Sequence, residues 1–311
     1  MLFFAAAGYG ELCEEIRAAV GGRPGEIDRR VFTDGEVYHR IRTDVSGRAA
    51  VLVGGTIDDV ATLELFDLAC GLVARGAHSL TLVAPYLGYS TMDREVRSGE
   101  IVKAKTRARL LSSIPHAREA NRLVLLDLHA EGIQYYFEGA LQADHVYGKP
   151  VILEAVRELG REDFVLACTD AGRAKWVESL ANEMQTPASF IFKRRLEDGR
   201  PVVTAMHADV AGRAVVIYDD MIRTGESLLN AAQAYRQAGA RSIACVATHG
   251  LFPADALAAI RQSGLIERLI CTNSHPRAVE LARASGGYLE IRSVGRLLAD
   301  AVRRCGDAGG E

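Results

Sequence analysis

The densest run of side chains suited to chemistry is Val215-Val216-Ile217-Tyr218-Asp219-Asp220-Met221-Ile222-Arg223-Thr224-Gly225-Glu226-Ser227. An apolar stretch ends in two adjacent carboxylates, and a short loop bearing Thr, Gly and Ser leads into a helical pattern. Backbone N–H groups at such a loop and at a helix start can hold a phosphate. The adjacent acids can accept ribose hydroxyls or bind Mg²⁺ through water. A helix capped by Thr224 or Ser227 beside solvated acids is the plainer alternative. The order of strand, acid pair and TG-x-S favours a ligand site.

Three further segments place polar groups after apolar runs. Lys193 and Arg195 stand two apart after Phe190–Phe192, and an extended backbone would turn both to one side. Asp127-Leu128-His129 follows Arg122–Leu126, and Asp170-Ala171-Gly172-Arg173 follows Phe164–Ala167. Strand ends are where open α/β sheets place ligands. A solvated basic turn and a structural histidine are the alternatives for the first two. Phe32–Glu36 reads as a strand ending in an Asp34-Gly35 turn, with another strand at Val37–Arg42. Gly8-Tyr9-Gly10 starts a dinucleotide fingerprint, but position 13 is Cys, so the pattern breaks. His275 and Cys271 lack the further ligands a metal site needs. Trp176 and Tyr135-Tyr136-Phe137 read as packing or contact surfaces.

These segments need a frame that brings strand ends together. Apolar runs at Leu2–Ala7, Ala49–Val53, Ser79–Val83, Arg122–Leu126, Phe164–Ala167, Phe190–Phe192, Ala214–Tyr218 and Ile243–Ala247 read as strands. Helical periodicity marks Glu11–Val20, Asp58–Arg75, Lys149–Leu159, Lys175–Met184, Ser227–Gln237 and Val294–Arg304. Buried strands alternating with amphipathic helices predict an α/β protein with mostly parallel sheets. Gly76-Ala77-His78-Ser79-Leu80 is echoed by Gly239-Ala240-Arg241-Ser242-Ile243, each after a long helix and before an apolar strand. The echo predicts two related α/β domains, residues 1–145 and 146–311, with the C-terminal helix free to pack back on the first half.

Composition bounds the function. Lys plus Arg number 37 and Asp plus Glu 40, a net charge of −3, which argues against a nucleic-acid or membrane-surface binder working through bulk positive charge. Six cysteines without a CxxC pair disfavour a zinc ribbon or a disulfide framework. No signal-peptide pattern and no long apolar run is found, so the expectation is a soluble protein of the reducing cytoplasm.

The chain resembles the ribose-phosphate pyrophosphokinases (PRPP synthetases), whose fold is of the phosphoribosyltransferase type. The resemblance rests on Phe32–Glu36, Pro85-Tyr86-Leu87-Gly88-Tyr89, Asp127–Ala130, Asp170–Gly172, Lys193–Arg195, Asp219–Ser227 and Thr248-His249-Gly250, in family order. It implies transfer of the diphosphoryl group of ATP to the 1-hydroxyl of ribose 5-phosphate with Mg²⁺. Residues 1–145 would then hold the nucleotide and 146–311 the ribose phosphate. The resemblance makes Lys193 and Arg195 the cations of the transfer and His129 a catalytic and Mg²⁺ contact. Asp170 becomes a second metal contact within the diphosphate loop Asp170, Ala171, Gly172 and Arg173. Asp34, Glu36, Asp93 and Arg94 fall to the nucleotide, with Glu36 serving a neighbouring subunit. Asp219, Asp220, Arg223, Thr224, Gly225, Glu226 and Ser227 fall to the ribose phosphate or PRPP. A homo-oligomer, a hexamer built from dimers, is also implied.

The chain departs from the family pattern at Thr91-Met92, where Arg-Gln is usual, at Arg173, where Gly is usual, and at Arg223 and Glu226. Two other readings therefore stand beside the first: a diphosphokinase with an altered donor or acceptor, and a non-catalytic regulatory homologue.

Overall fold

The computed structural model describes residues 1–161, 163–169, 171–195, 201–207 and 210–307; at 171, 192–195, 201–207 and 307 it describes the backbone alone. The chain forms two compact units. Met1–Tyr147 and the segment from Val294 make the first, and Gly148–Ser293 make the second.

The first unit contains β1 (Leu2–Ala5), α1 (Gly10–Val20), β2 (Arg23–Pro24), β3 (Ile27–Val31), β4 (Val37–Ile41), β5 (Ala49–Val53), α2 (Asp59–Ala74), β6 (Ser79–Ala84), α3 (Lys103–Ser112), β7 (Asn121–Leu126) and β8 (Leu141–Val146). Six of these strands make a parallel sheet in the order β2-β1-β5-β6-β7-β8, and β3 and β4 form a separate antiparallel hairpin. The sheet is covered on both faces, so its central strands are continuous apolar runs. Leu52, Leu80, Leu82, Leu123 and Leu125 are buried and pack with Leu65, Leu68 and Leu72 of α2. Asp58 starts α2 by accepting the Ala61 N–H at 2.7 Å.

The second unit contains α4 (Lys149–Gly160), β9 (Phe164–Cys168), α5 (Ala174–Met184), β10 (Ala188–Arg195), β11 (Pro201–His207), β12 (Ala214–Ile222), α6 (Glu226–Gln237), β13 (Ser242–Gly250), α7 (Ala256–Gln262), β14 (Arg268–Thr272), α8 (Pro276–Ala284) and β15 (Leu289–Arg292). Its sheet runs β11-β10-β9-β12-β13-β14-β15, parallel except for the β10–β11 pair. The chain then returns to the first unit as α9 (Gly295–Asp307), which packs against α1, β6 and β7.

The sequence echo is an echo of structure. Gly76 and Gly239 both have positive φ, 87° and 91°. Their carbonyls accept from Gly47 at 2.9 Å and from Gly212 at 2.8 Å. Two residues on, the His78 N–H donates to Arg48 O and the Arg241 N–H to Arg213 O, both at 2.8 Å. The same helix–glycine–strand junction is thus built twice, anchored by the same bonds.

Two local readings change. Phe32–Glu36 is the hairpin turn, and the strand before it ends at Val31. The Asp34 carboxylate accepts the Glu36 N–H at 3.1 Å, and the Phe32 N–H donates to Glu36 O at 2.8 Å, which closes the turn. Lys193–Arg195 does not follow a strand; it is the last part of β10, sustained by antiparallel pairing with β11.

Candidate functional site

An open α/β sheet binds ligands in the crevice where its strand order reverses. In the second unit the chain leaves β9 toward β10 on one side and resumes on the other side at β12. The crevice therefore lies between the ends of β9 and β12. The Thr169–Arg173 segment follows one strand, and Asp219–Ser227 closes the other. Described side chains cross this gap twice. Thr169 Oγ1 donates to Asp219 Oδ2 at 2.9 Å, and the Arg173 guanidinium pairs with the Asp220 carboxylate. Asp219 Oδ1 accepts the Asp220 N–H at 2.9 Å, which fixes its side chain against its own backbone. Asp220 is buried and Asp219 half-buried. Asp170 lies outside the described residues.

Beyond Ile222 the chain turns outward. Arg223 and Thr224 are exposed, and Gly225 takes φ +81° and starts α6. Among the described residues no side chain at the N-cap caps this helix, and the Glu226 N–H makes one long bond, 3.5 Å, to Thr224 Oγ1. Its first N–H groups and the positive end of its dipole face the loop, an arrangement that suits an anion. Glu226 and Ser227 are exposed in the first turn. Gly225 is required there twice over: a side chain would be strained at that φ, and its Cβ would sit 2.6 Å from Ile260 Cδ1 and 2.7 Å from Cγ1.

The β13 end supports the same rim. His249 pairs in register with Met221, just past Asp220. It is buried, with Nδ1 2.8 Å from Ser274 Oγ. Thr272 Oγ1 donates to Thr248 O at 2.7 Å, and Tyr218 Oη lies 3.1 Å from Thr248 Oγ1.

The first unit treats its own switch point differently. Between β1 and β5 the buried Glu64 of α2 accepts the Ala7 N–H at 3.0 Å and Arg29 Nε at 2.7 Å. A Cβ on Gly55 would lie 2.1 Å from the Tyr9 hydroxyl. Glu64 and Tyr9 are both buried at this switch point. Of the polar side chains expected at the nucleotide, Asp93 and Arg94 lie beyond β6, while Asp34 and Glu36 lie at the tip of the β3–β4 hairpin. Asp93 and Arg94 bond to each other, Arg94 Nη2 lying 2.7 Å from Asp93 Oδ2. That contact holds the Asp93 carboxyl below the usual carboxylate range, with a smaller contribution from His129. Tyr136 Oη donates to Asp93 O at 2.7 Å. Asp93, Arg94 and His129 therefore share one locality, with His129 half-buried. Asp34 and Glu36 are exposed at the hairpin tip, and their described hydrogen bonds stay within the turn. Thr91 and Met92 are exposed.

The backbone of Lys193 faces Val203 and that of Arg195 faces Pro201, with a register shift between Phe192 and Lys193. Thr169, Ser274, His145 and Tyr147 are site neighbours that sequence reading does not single out. Thr169 alone had a local signal, as the hydroxyl beside Asp170 at a strand end.

A mostly parallel α/β unit with an acid pair and a helix start at its switch point has the architecture of the open α/β proteins that take ligands in that crevice. The comparisons are more specific. Residues 1–114 match the N-terminal domain of ribose phosphate pyrophosphokinase, and residues 176–309 match the phosphoribosyl synthetase-associated domain. A ribose-phosphate pyrophosphokinase of Vibrio parahaemolyticus is 32% identical over 308 residues, 98% of this chain and 95% of its own length. That of Prochlorococcus marinus is 31% identical over 296 residues, 94% of this chain and 86% of its own. The crystal structure of phosphoribosylpyrophosphate synthetase from Mycobacterium smegmatis superposes with a TM-score of 0.85 at 26% identity, covering 99% of both chains. The chain belongs to the ribose-phosphate pyrophosphokinase family. Among the described residues no helix is long and apolar enough to cross a membrane, and all six cysteines are free.

Proposed function

We propose that this chain is a diphosphoryl transferase that converts ATP and ribose 5-phosphate into PRPP and AMP. The observation that carries the proposal is the Asp219-Asp220 pair beside the start of α6 at the β9–β12 switch point, in a chain of this family. The 1-hydroxyl oxygen of the ribose attacks the β-phosphorus of ATP. The bond from that phosphorus to the bridging oxygen breaks, AMP leaves with the oxygen, and the hydroxyl proton is released. Such transfers ask little covalent chemistry of the protein; positioning and charge neutralisation do the work. Asp219 and Asp220 accept ribose hydroxyls. Thr224, Gly225, Glu226 and Ser227 offer backbone N–H groups to the 5-phosphate, and Arg223 adds a cation. The diphosphate lies along Ala171, Gly172 and Arg173. Asp93 and Arg94, with Asp34 and Glu36, serve the nucleotide, and Lys193 and Arg195 meet the charge that develops on the transferring group.

Mg²⁺ fits this donor set. Among the described residues no three His, Cys, Asp or Glu side chains converge on one point, and Mg²⁺ is commonly held by one or two carboxylates together with substrate phosphates. In the first unit His129 would be a contact for Mg²⁺; in the second Asp170 would be one, with the Asp219-Asp220 pair reached through water. When bound, the ion neutralises phosphate charge and orients the transferring group. We place the protein in the cytoplasm as a homo-oligomer.

The test supplies purified protein with ATP, ribose 5-phosphate and Mg²⁺ and follows AMP and PRPP together. Equal appearance of both is expected, and chelation with EDTA stops both. No product with any nucleotide and ribose phosphate would overturn the proposal in favour of a regulatory homologue. A second reading has one observation behind it: Arg173 neutralises Asp220, one of the two acids meant for the ribose. An altered acceptor would show as AMP without PRPP.

A further inference from the structure

The segment that carries His129 is held from one side by two side chains of β8 and its end. Strand β7 pairs in parallel with β8 up to Leu126 opposite Val146. The Asp127 N–H extends that pairing by one bond to Val146 O, at 2.9 Å. The chain then leaves the sheet. Asp127 takes φ +40° although it is buried and carries a side chain, a conformation that persists only where the surroundings enforce it. The next N–H, of Leu128, donates to an imidazole: Leu128 N lies 3.0 Å from His145 Nε2. Two residues along from His145, Tyr147 Oη donates to Glu131 Oε1 at 2.9 Å. His129 lies between the two pinned positions. The His145 and Tyr147 rings pack against each other with centroids 4.3 Å apart.

The bond to Leu128 fixes the chemistry of the ring. Nε2 must present a lone pair, so the ring is neutral and its proton sits on Nδ1. Nδ1 is buried and has no hydrogen-bond partner among the described residues. A buried donor left unpaired is unfavourable, so the ring is held there in spite of that cost. Three carboxylates, Asp127, Glu131 and Asp144, act on the ring to favour its charged form, yet burial dominates and holds the imidazole neutral. A charged ring would turn an N–H toward the Leu128 N–H, and the two donors would repel.

We infer that His145 is a positioning residue: its Nε2 accepts the Leu128 N–H and, with Tyr147 on Glu131, sets the turn that presents His129 to the nucleotide phosphates. The inference rests on the function proposed above. It is specific about the atom required, an acceptor at the Nε2 position, and an aromatic ring as such is not needed.

The test compares the full-length protein with His145→Gln, which keeps an acceptor at about that reach, and His145→Leu, which fills the space without one. Two readouts are taken. Hydrogen exchange of the Leu128 amide, resolved by fragmentation mass spectrometry, needs no activity. Steady-state AMP formation gives kcat and KM. In His145→Leu the Leu128 amide loses protection and kcat falls about 10–100-fold, the range for groups that orient catalytic or metal-ligating residues, while KM for ribose 5-phosphate stays put. His145→Gln keeps the protection and restores most of kcat. Equal Leu128 protection in wild type and His145→Leu overturns the inference. So does a His145→Gln variant as slow as His145→Leu, which would make the ring a packing element. A wild type that forms no AMP overturns the proposed function instead, and the exchange comparison still decides whether His145 fixes the turn.

Discussion

Gly225→Ala probes the loop proposed to hold the 5-phosphate where its geometry is least forgiving. The φ of +81° places an alanine in the left-handed region, at a cost of about 1–2 kcal/mol. Its Cβ would also lie 2.6 and 2.7 Å from two carbons of Ile260, whose side chain is fully buried and cannot swing into solvent. Overpacking of that kind costs about 1–3 kcal/mol. Loss of unfolded-chain entropy returns about 0.4–1 kcal/mol, which leaves a net destabilisation of about 1–4.5 kcal/mol. The assay is urea unfolding followed by fluorescence. Trp176 is the chain's single tryptophan and sits on α5 within the same unit, so the signal reports on the unit that was changed. A double-mutant cycle separates the two costs. Ile260→Ala removes both offending carbons and alone costs about 2–5 kcal/mol. In the double variant the new methyl occupies part of the vacated space, so the combined loss falls short of the sum by about 1–2 kcal/mol, while the φ cost remains. Additivity within about 0.5 kcal/mol, or a Gly225→Ala cost below about 1 kcal/mol, would refute the packing argument. The KM for ribose 5-phosphate rises in Gly225→Ala, because the loop that carries the α6 N–H groups is displaced.

Arg173→Ala removes the partner of a buried carboxylate; Arg173 keeps one fifth of its side chain exposed, so the loss is about 1–3 kcal/mol rather than that of a fully buried pair. If Arg173 only holds Asp220, thermal stability drops and ribose 5-phosphate binds as well or better; a raised KM would show that the guanidinium meets the substrate. Lys193→Ala lowers kcat far more than it raises the KM for ATP, and matched losses in both would remove the cation from the transfer step. Glu158 accepts from Arg292 and Arg268, and those bonds hold its carboxyl below the usual range. A lowered folded-state value stabilises the protein above the unfolded-state value of about 4.3 and loses that stability as the pH falls through the folded-state value. Trp176 unfolding curves should therefore weaken below about pH 4.3, and Glu158→Gln should flatten that part of the pH dependence.

The strands covered on both faces were legible because burial leaves them uniformly apolar: Ala49–Val53, Phe164–Ala167 and Ala214–Tyr218 read as buried strands, and β9 runs one residue further, to Cys168. Edge elements were not. Strand β8, Leu-Gln-Ala-Asp-His-Val, buries only its two ends, and α3 is rich in Lys and Arg, so neither carries a clear apolar period. The charges of Lys193-Arg194-Arg195 suggested the end of a strand, but antiparallel pairing with β11 supports the strand through them. The Asp34 side chain, bonded to the Glu36 N–H, turns Phe32–Glu36 into a loop, although its first residue is aromatic.

The candidate site divides along the same line. Asp219 to Ser227 was legible because strand, acid pair and helix start are contiguous. What gives those residues their geometry was not, because it comes across strand pairs that are distant in sequence. Thr169 reaches Asp219 and Arg173 reaches Asp220 only because β9 lies beside β12, and His145 reaches Leu128 only because β8 lies beside β7. The same topology explains why two units with the same glycine junction differ in use. In the first unit the buried Glu64, bonded to Ala7 and Arg29, and the buried Tyr9 stand at the β1–β5 switch point. In the second the crevice between β9 and β12 is bridged by an ion pair and a hydroxyl, and the proposed function gives the partners of those contacts to a sugar phosphate. Repetition of an architecture therefore does not repeat its site; the side chains at the switch point decide whether the crevice is core or binding surface.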